Sequence, residues 1–250
     1  MRNRRIIAIQ ATIIMNRSVN HFGLFAKYWE PGRVKTRLAA TLGNQLACEL
    51  YEIFLFHLLD SIAPVSDHTT VVFSPPNREA DFRAAIASNW MLEPQSEGDL
   101  GDRMRNFFAG QFSNVSAERK TKVVVIGADC PQLSVTEIQT AFDELDKNDV
   151  VIGPSTDGGY YLLGMQGGLA EVFDDIDWST SKVLPQTTQR LDQQNKSYAL
   201  LPAKTDVDDE AALQQMLADL TSKANEEPVS SASQKLVEKI LAALPEGHLQ

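Results

Sequence analysis

Short apolar runs and amphipathic stripes take turns along almost the whole sequence, and this alternation limits the chain to one class of fold. Residues 21–26, 69–73, 90–92, 122–126, 150–153, 160–165 and 197–201 read as strands, several rich in β-branched side chains. Helical patterns over 43–61, 78–88, from 102 onward, 134–145, 182–195 and 209–220 lie between them. In the first of these, Leu46, Leu50, Phe54 and Leu58 recur every fourth residue. Residues 122–126 are nearly all valine and isoleucine, which marks a central strand buried on both faces. Strands and helices that alternate for most of the length predict an α/β protein, a three-layer sandwich around a mostly parallel mixed sheet.

Charge narrows the partners. The 250 residues carry a net charge of -10, against the basic surface a general nucleic-acid binder needs. A local basic pocket for a small anion remains compatible with that total. Cys48 and Cys130 provide neither a disulfide framework nor metal-binding spacing, and a reducing cytoplasm is the natural setting. Residues 1–20 form an N-terminal extension. Its basic start and apolar run resemble a signal peptide, but Gln10 interrupts the run and it is too short to span a bilayer. A start at Met15 is the rival reading. The main domain is expected over 21–221. Residues 222–250 are expected to form a polar linker and an amphipathic helix striped by Leu236, Ile240 and Leu244, for docking on the core or for contact with another copy.

One segment runs against the acidic background. After the first strand comes Lys27-Tyr-Trp-Glu-Pro-Gly-Arg-Val-Lys-Thr-Arg37, with Lys27, Arg33, Lys35 and Arg37 around Gly32. Cations converging on a loop at a strand end suit phosphate. The segment is not a Walker A loop, and no dinucleotide fingerprint follows a strand. His21 and His57 have no nucleophile partner in sequence, so serine or cysteine hydrolase chemistry has no support.

Carboxylates supply the second element. In Val123-Val-Val-Ile-Gly-Ala-Asp-Cys-Pro131, Asp129 stands beyond the carboxyl end of the central strand, where open α/β sheets bind ligands. It suits a hard cation such as Mg2+ (or Mn2+), although capping a turn explains it equally well. Asp206-Val-Asp-Asp-Glu210 lies between a strand and a helix, and one of its acids completes a metal site or simply caps the helix. Gly98 and Gly101 let backbone approach a flat base or ribose, or else serve only a turn. Asp157-Gly158-Gly159-Tyr160 reads as an acceptor pocket or a plain hairpin turn.

The motifs Phe25-Ala-Lys, Pro31-Gly-Arg-Val-Lys-Thr-Arg-Leu38, Gly98-Asp-Leu-Gly-Asp-Arg-Met104, Ile126-Gly-Ala-Asp-Cys-Pro131, Asp157-Gly-Gly-Tyr-Tyr-Leu-Leu-Gly164 and Asp177-Trp-Ser-Thr180 occur in one order. Together they resemble the DUF2064 proteins, described as glycosyltransferases of an arsenosugar-biosynthesis type. These belong to the nucleotide-diphospho-sugar transferase superfamily with the GT-A fold. The resemblance spans roughly residues 22–220. It implies that Lys27, Gly32, Arg33, Lys35 and Arg37 hold donor phosphates and that Asp129 binds the metal. It also implies that Asp208, favoured over Asp206, completes the metal site. The chain departs from the pattern at Trp29, where proline is common, at Asp209-Glu210, where Thr-Pro is usual, and at Pro185 inside an expected helix.

Two reactions fit. Glycosyl transfer takes a nucleotide sugar, a metal on its diphosphate and a small-molecule acceptor beside Asp157 to Tyr160. Nucleotidyl transfer condenses an NTP with a phosphorylated acceptor and releases pyrophosphate. The family description favours the first; four cations, useful to a leaving pyrophosphate, favour the second. In both, Asp129, Lys35 and Arg33 are the expected catalytic residues. A non-catalytic nucleotide sensor is the third reading. A homo-oligomer is open.

Overall fold

A computed structural model describes residues 18–62, 65–113, 120–223 and 231–245. Within them one seven-stranded sheet runs in the order β3-β2-β1-β4-β6-β5-β7. The strands are β1 (Val19–Lys27), β2 (His68–Ser74), β3 (Met91–Pro94), β4 (Thr121–Gly127), β5 (Val150–Pro154), β6 (Tyr160–Gln166) and β7 (Tyr198–Leu200). Strand β6 pairs antiparallel with β4 and β5, and every other pairing is parallel. The chain steps outward from β1 to β2 and β3, then returns to β4 on the other side of β1. The topological switch point therefore lies between the carboxyl ends of β1 and β4.

Helices cover both faces. Helices α1 (Thr36–Leu42), α2 (Asn44–Ile62), α3 (Glu79–Ala85), α4 (Leu100–Ser113), α5 (Val135–Glu144), α6 (Val183–Gln193), α7 (Glu210–Lys223) and α8 (Ser231–Ala243) follow in chain order. Strand β4 sends Val124 and Ile126 into a core with Tyr51, Leu55, Phe82 and Phe142 from α2, α3 and α5. Its alternate residues, Val123 and Val125, meet Met104, Phe107, Phe108 and Leu191 from α4 and α6. The period-two alternation of a strand divides one valine run between two cores. The three layers and mostly parallel mixed sheet expected from the alternation are present. Capping-box bonds between Ser134 and Glu137 start α5 as its sequence predicts.

Three boundaries differ from expectation. Strand β1 begins at Val19, inside the stretch assigned to the extension, while residues 1–17, with the signal-peptide and Met15 readings, lie outside the described residues. The basic segment stops being a loop at Thr36, where α1 begins, so Arg37 stands on its first turn. Helix α7 continues to Lys223, past the expected linker start, and residues 224–230 lie outside the described residues. Pro185 is the third residue of α6, where its missing N–H removes no helical hydrogen bond.

A third core lies on the outer side of α2. Leu236 and Ile240 of α8 pack there with Leu38, Leu50, Phe54, Val207, Leu213 and Met216. The C-terminal stripe thus docks on the body of the chain. Ile240 is fully buried, so Ile240→Ala is expected to lower stability by about 2–5 kcal/mol, through lost burial and a cavity. Urea unfolding measures it; an unchanged midpoint would mean the helix is not bound there in solution. Among the described residues no helix is long and apolar enough to cross a membrane.

Candidate active site at the switch point

A cavity of about 570 Å³ opens where the switch point predicts one. Its walls come from the ends of β1 and β4, the start of α1, the first turns of α4, the entry to β6, residues 178–183, and the segment holding Asp206 and Asp208. Lys27, Lys35, Arg37, Asp129, Asp157, Gly159, Tyr160 and Asp208 line it. Gly32, Arg33, Gly98, Gly101 and Gly158 do not appear in the wall, although their neighbours do. Arg33 is exposed on the turn, with its N–H bonded to the Glu30 carbonyl at 3.0 Å. The geometry therefore gives Arg33 no contact with the cavity, contrary to the role expected for it.

Lys35 is the centre of the charged half. It precedes α1 with left-handed backbone, φ 47° and ψ 47°. For a non-glycine residue this conformation is strained, and it turns the side chain inward. The ammonium pairs with Asp129 and lies 3.1 Å from Asp208 Oδ1. The Lys35 side chain is 2% exposed, whereas those of Asp129 and Asp208 are 49% and 40% exposed. Burial opposes the lysine's charge, but the two carboxylates outweigh it and push its pKa up. Arg37 approaches Asp208 Oδ2 at 3.6 Å from a mostly exposed position.

The two acidic loops are joined through main chain. Val207 N–H donates to the Asp129 carbonyl at 2.9 Å, and Asp208 N–H to the Asp206 carbonyl at 3.0 Å. Val207 itself is buried in the third core. Successive side chains then diverge, with Asp208 toward Lys35 and Asp206 toward Ser155, whose Oγ donates to Asp206 Oδ2 at 2.7 Å. Burial, aided by Asp129 and Asp208, pushes the Asp206 carboxyl up to about 6 despite the Ser155 bond. Its Oδ1 is buried and has no hydrogen-bond partner among the described residues. Unfolding releases this raised carboxyl to its ordinary value, so it favours the folded state below about pH 4 and loses that contribution as pH rises through about 6. In EDTA, Asp206→Asn should raise Tm at pH 7.5 by about 2–4 °C, with the gain vanishing near pH 4. A gain that is equal at both pH values would contradict the raised carboxyl.

Other wall residues had weaker sequence signals. Gln95 Nε2 donates to the Val72 carbonyl at 2.9 Å, and Arg103 Nη1 to Gln95 Oε1 at 3.2 Å. Arg103 Nε also holds the Gly98 carbonyl at 3.0 Å. These side chains tie the Gly98 turn, φ +104°, to the ends of the strands. Tyr51 hydroxyl accepts from Lys27 N–H at 2.8 Å and donates to its carbonyl at 3.3 Å, fixing the end of β1. Burial pushes this phenol well above its usual range.

Comparison with known proteins follows the same lines. The model of the family "Uncharacterized protein conserved in bacteria (DUF2064)" matches residues 58–180. Over this stretch, 123 of the 250 residues, the chain is similar to the DUF2064 family. The matched region holds Asp129, Asp157 to Tyr160 and Asp177 to Thr180; the basic segment and Asp208 fall outside it. The chain is similar to a solved structure from Desulfovibrio desulfuricans G20, provisionally described as a nucleotide-diphospho-sugar transferase. Identity is 28%, TM-score 0.77, and the match covers 91% of this chain and 99% of the other. Two more distant structures share the fold. One is 4-diphosphocytidyl-2C-methyl-D-erythritol synthase from Anaerococcus prevotii DSM 20548, with 10% identity, TM-score 0.51 and coverage of 82% and 99%. The other is a cytidylyltransferase from Leptospira borgpetersenii, with 13% identity, TM-score 0.51 and coverage of 90% and 95%. A comparison with curated proteins finds no match. The chain shares its architecture with these three solved structures.

Proposed function

We propose that the protein is a divalent-metal-dependent transferase that moves a sugar from a nucleotide sugar to a small acceptor. The observation that carries this reading is the convergence of Asp129 and Asp208 on one point, at the switch point and beside Lys27 and Arg37. Two carboxylates facing one cation fit Mg2+ or Mn2+, which take few protein oxygens and complete their shell with water and substrate phosphate. Among the described residues no third acid, histidine or cysteine joins them as a metal cluster, which suits a metal that arrives with a nucleotide. When bound, the metal supplies Lewis-acid charge to the departing nucleoside diphosphate. Lys27 and Arg37 add positive charge at the phosphates, Lys35 balances the carboxylates, and the walls hold donor and acceptor in line.

Nucleotidyl transfer is the second reading, favoured by the number of cations in the basic segment. Their placement weakens that support. Arg33 is outside the cavity wall, Lys35 is engaged with two carboxylates, and Arg37 faces Asp208. Few cations then remain for a triphosphate. Incubation with Mg2+ and pools of NTPs or nucleotide sugars, with candidate acceptors, separates the readings. Nucleoside diphosphate released from a nucleotide sugar is expected. Pyrophosphate released from an NTP only with a phosphorylated acceptor would establish the second reading, and binding without turnover of either pool would establish the sensor.

A further inference from the structure

The cavity is divided by chemistry, and its uncharged half is built around Trp178. On the side formed by residues 157–183, the lining residues include Tyr160, Leu163, Trp178, Thr180 and Val183, and among the described residues Asp157 is the only charged one there. The cations of the wall, Lys27, Lys35, Arg37 and Arg103, all come from β1, the approach to α1, the first turn of α1, and α4.

Trp178 is held from several directions. Its ring meets Tyr160 edge-on, with centroids 6.5 Å apart and planes at 87°. Its Nε1–Cζ2 edge lies against Gly101, where an added Cβ would come within 2.6 Å of Nε1. The absence of a side chain at 101 is what lets the indole reach the first turn of α4. Ser179 next to it has φ +62°. Thr180 Oγ1 donates to the Asp177 carbonyl at 2.6 Å, and Lys182 Nζ lies 3.0 Å from Asp177 Oδ2. Gly158 sits so close to Ser181 that a Cβ would meet its carbonyl oxygen at 2.4 Å, and its own carbonyl accepts from Leu184 N–H at 2.8 Å. The Asp157–Tyr160 turn and the Asp177–Thr180 segment therefore form one wall, with an indole fixed before any ligand arrives.

We infer that Trp178 is a specificity-determining residue for the acceptor, and that the acceptor is an uncharged hydroxyl-bearing molecule with a flat apolar face, such as a sugar or aromatic ring. An indole wall rewards burial of C–H or ring surface. Asp157 can accept from a hydroxyl, whereas a phosphate beside a carboxylate and no cation is repelled and left unpaired. The inference rests on the transferase reading above and names its acceptor class.

Ligand-observed NMR on the full chain tests it without knowledge of the natural substrates. The probes are phenyl β-D-glucopyranoside and glucose 6-phosphate, each with Mg2+, alone and with a mixture of nucleoside diphosphates. Saturation transfer to the neutral glycoside is expected, weaker by about tenfold in Trp178→Ala and largely retained in Trp178→Phe. Glucose 6-phosphate should compete poorly. Nucleotide affinity should stay within about twofold in both variants, because Trp178 is assigned to the acceptor. The inference is overturned if the neutral glycoside does not bind, if glucose 6-phosphate binds better, or if Trp178→Ala weakens nucleotide as much as glycoside. Loss of nucleotide binding in the wild type, with the Trp178-dependent glycoside signal intact, would instead remove the donor reading alone.

Discussion

Asp129→Ala is expected to give a folded protein whose turnover falls by about 10³-fold or more, whichever donor pool is supplied. The side chain is half-exposed and contributes no apolar burial, and the Val207 bond to this loop uses the Asp129 carbonyl rather than the carboxylate. Removing the carboxylate therefore subtracts charge while leaving the wall standing. Product release from NTP and nucleotide-sugar pools measures the activity, and circular dichroism with urea unfolding checks the fold. Full activity in this variant would remove the metal from the proposal. Asp208→Ala should follow the same course, and Mn2+ titrated with nucleotide should bind more weakly to both.

Lys35→Met is expected to have the largest combined effect on stability and binding. It leaves Asp129 and Asp208 facing each other without the cation that both now contact. Removing one member of a buried ionic group costs several kcal/mol. Here the carboxylates remain half open to water, so a loss of about 2 kcal/mol is the better expectation. Donor affinity should fall by about tenfold, because two carboxylates left without their counter-ion repel the donor phosphates. Lys35 has a raised pKa in the folded protein, so its contribution is complete below the ordinary lysine range and disappears only as pH rises through that higher value. Between about pH 6 and 9 the lysine's own titration should therefore add no slope to the stability difference between wild type and Lys35→Met. Millimolar Mg2+ should raise the urea midpoint of the variant more than that of the wild type. An equal response in both would mean that the carboxylates do not share a metal.

What the sequence could and could not disclose follows from which forces leave a local trace. Strand β4 was legible because burial on two faces demands a run such as Val123 to Ile126, whatever surrounds it. The C-terminal stripe was legible as a stripe, but its destination depended on the outer side of α2, far away in sequence, which no spacing rule discloses. Helix α1 was missed because seven residues after Pro31-Gly32 hold too little periodicity to signal a helix. Charge near Pro31 suggested four equivalent cations; only backbone geometry separates an inward Lys35 from an exposed Arg33. The choice between Asp206 and Asp208 was likewise a question of direction, set by Ser155 on one side and Lys35 on the other. Trp178 gave no periodic signal at all. Its place depends on Gly101, a residue 77 positions earlier whose sequence context fits a base, a ribose or a plain turn and does not point to an indole.

The bond from Val207 to the Asp129 carbonyl joins the cavity to the tail of the chain. Val207 points away from the acids and into the packing shared by α7 and α8. The same residue thus serves as a peg for the C-terminal helices and as the spacer between two carboxylates. Loosening the tail would alter the distance between those acids without touching either one. Trimming or tagging the C-terminus for expression is, on this architecture, a perturbation of the spacing between Asp129 and Asp208, and measurements on shortened versions would describe a differently set pair of acids.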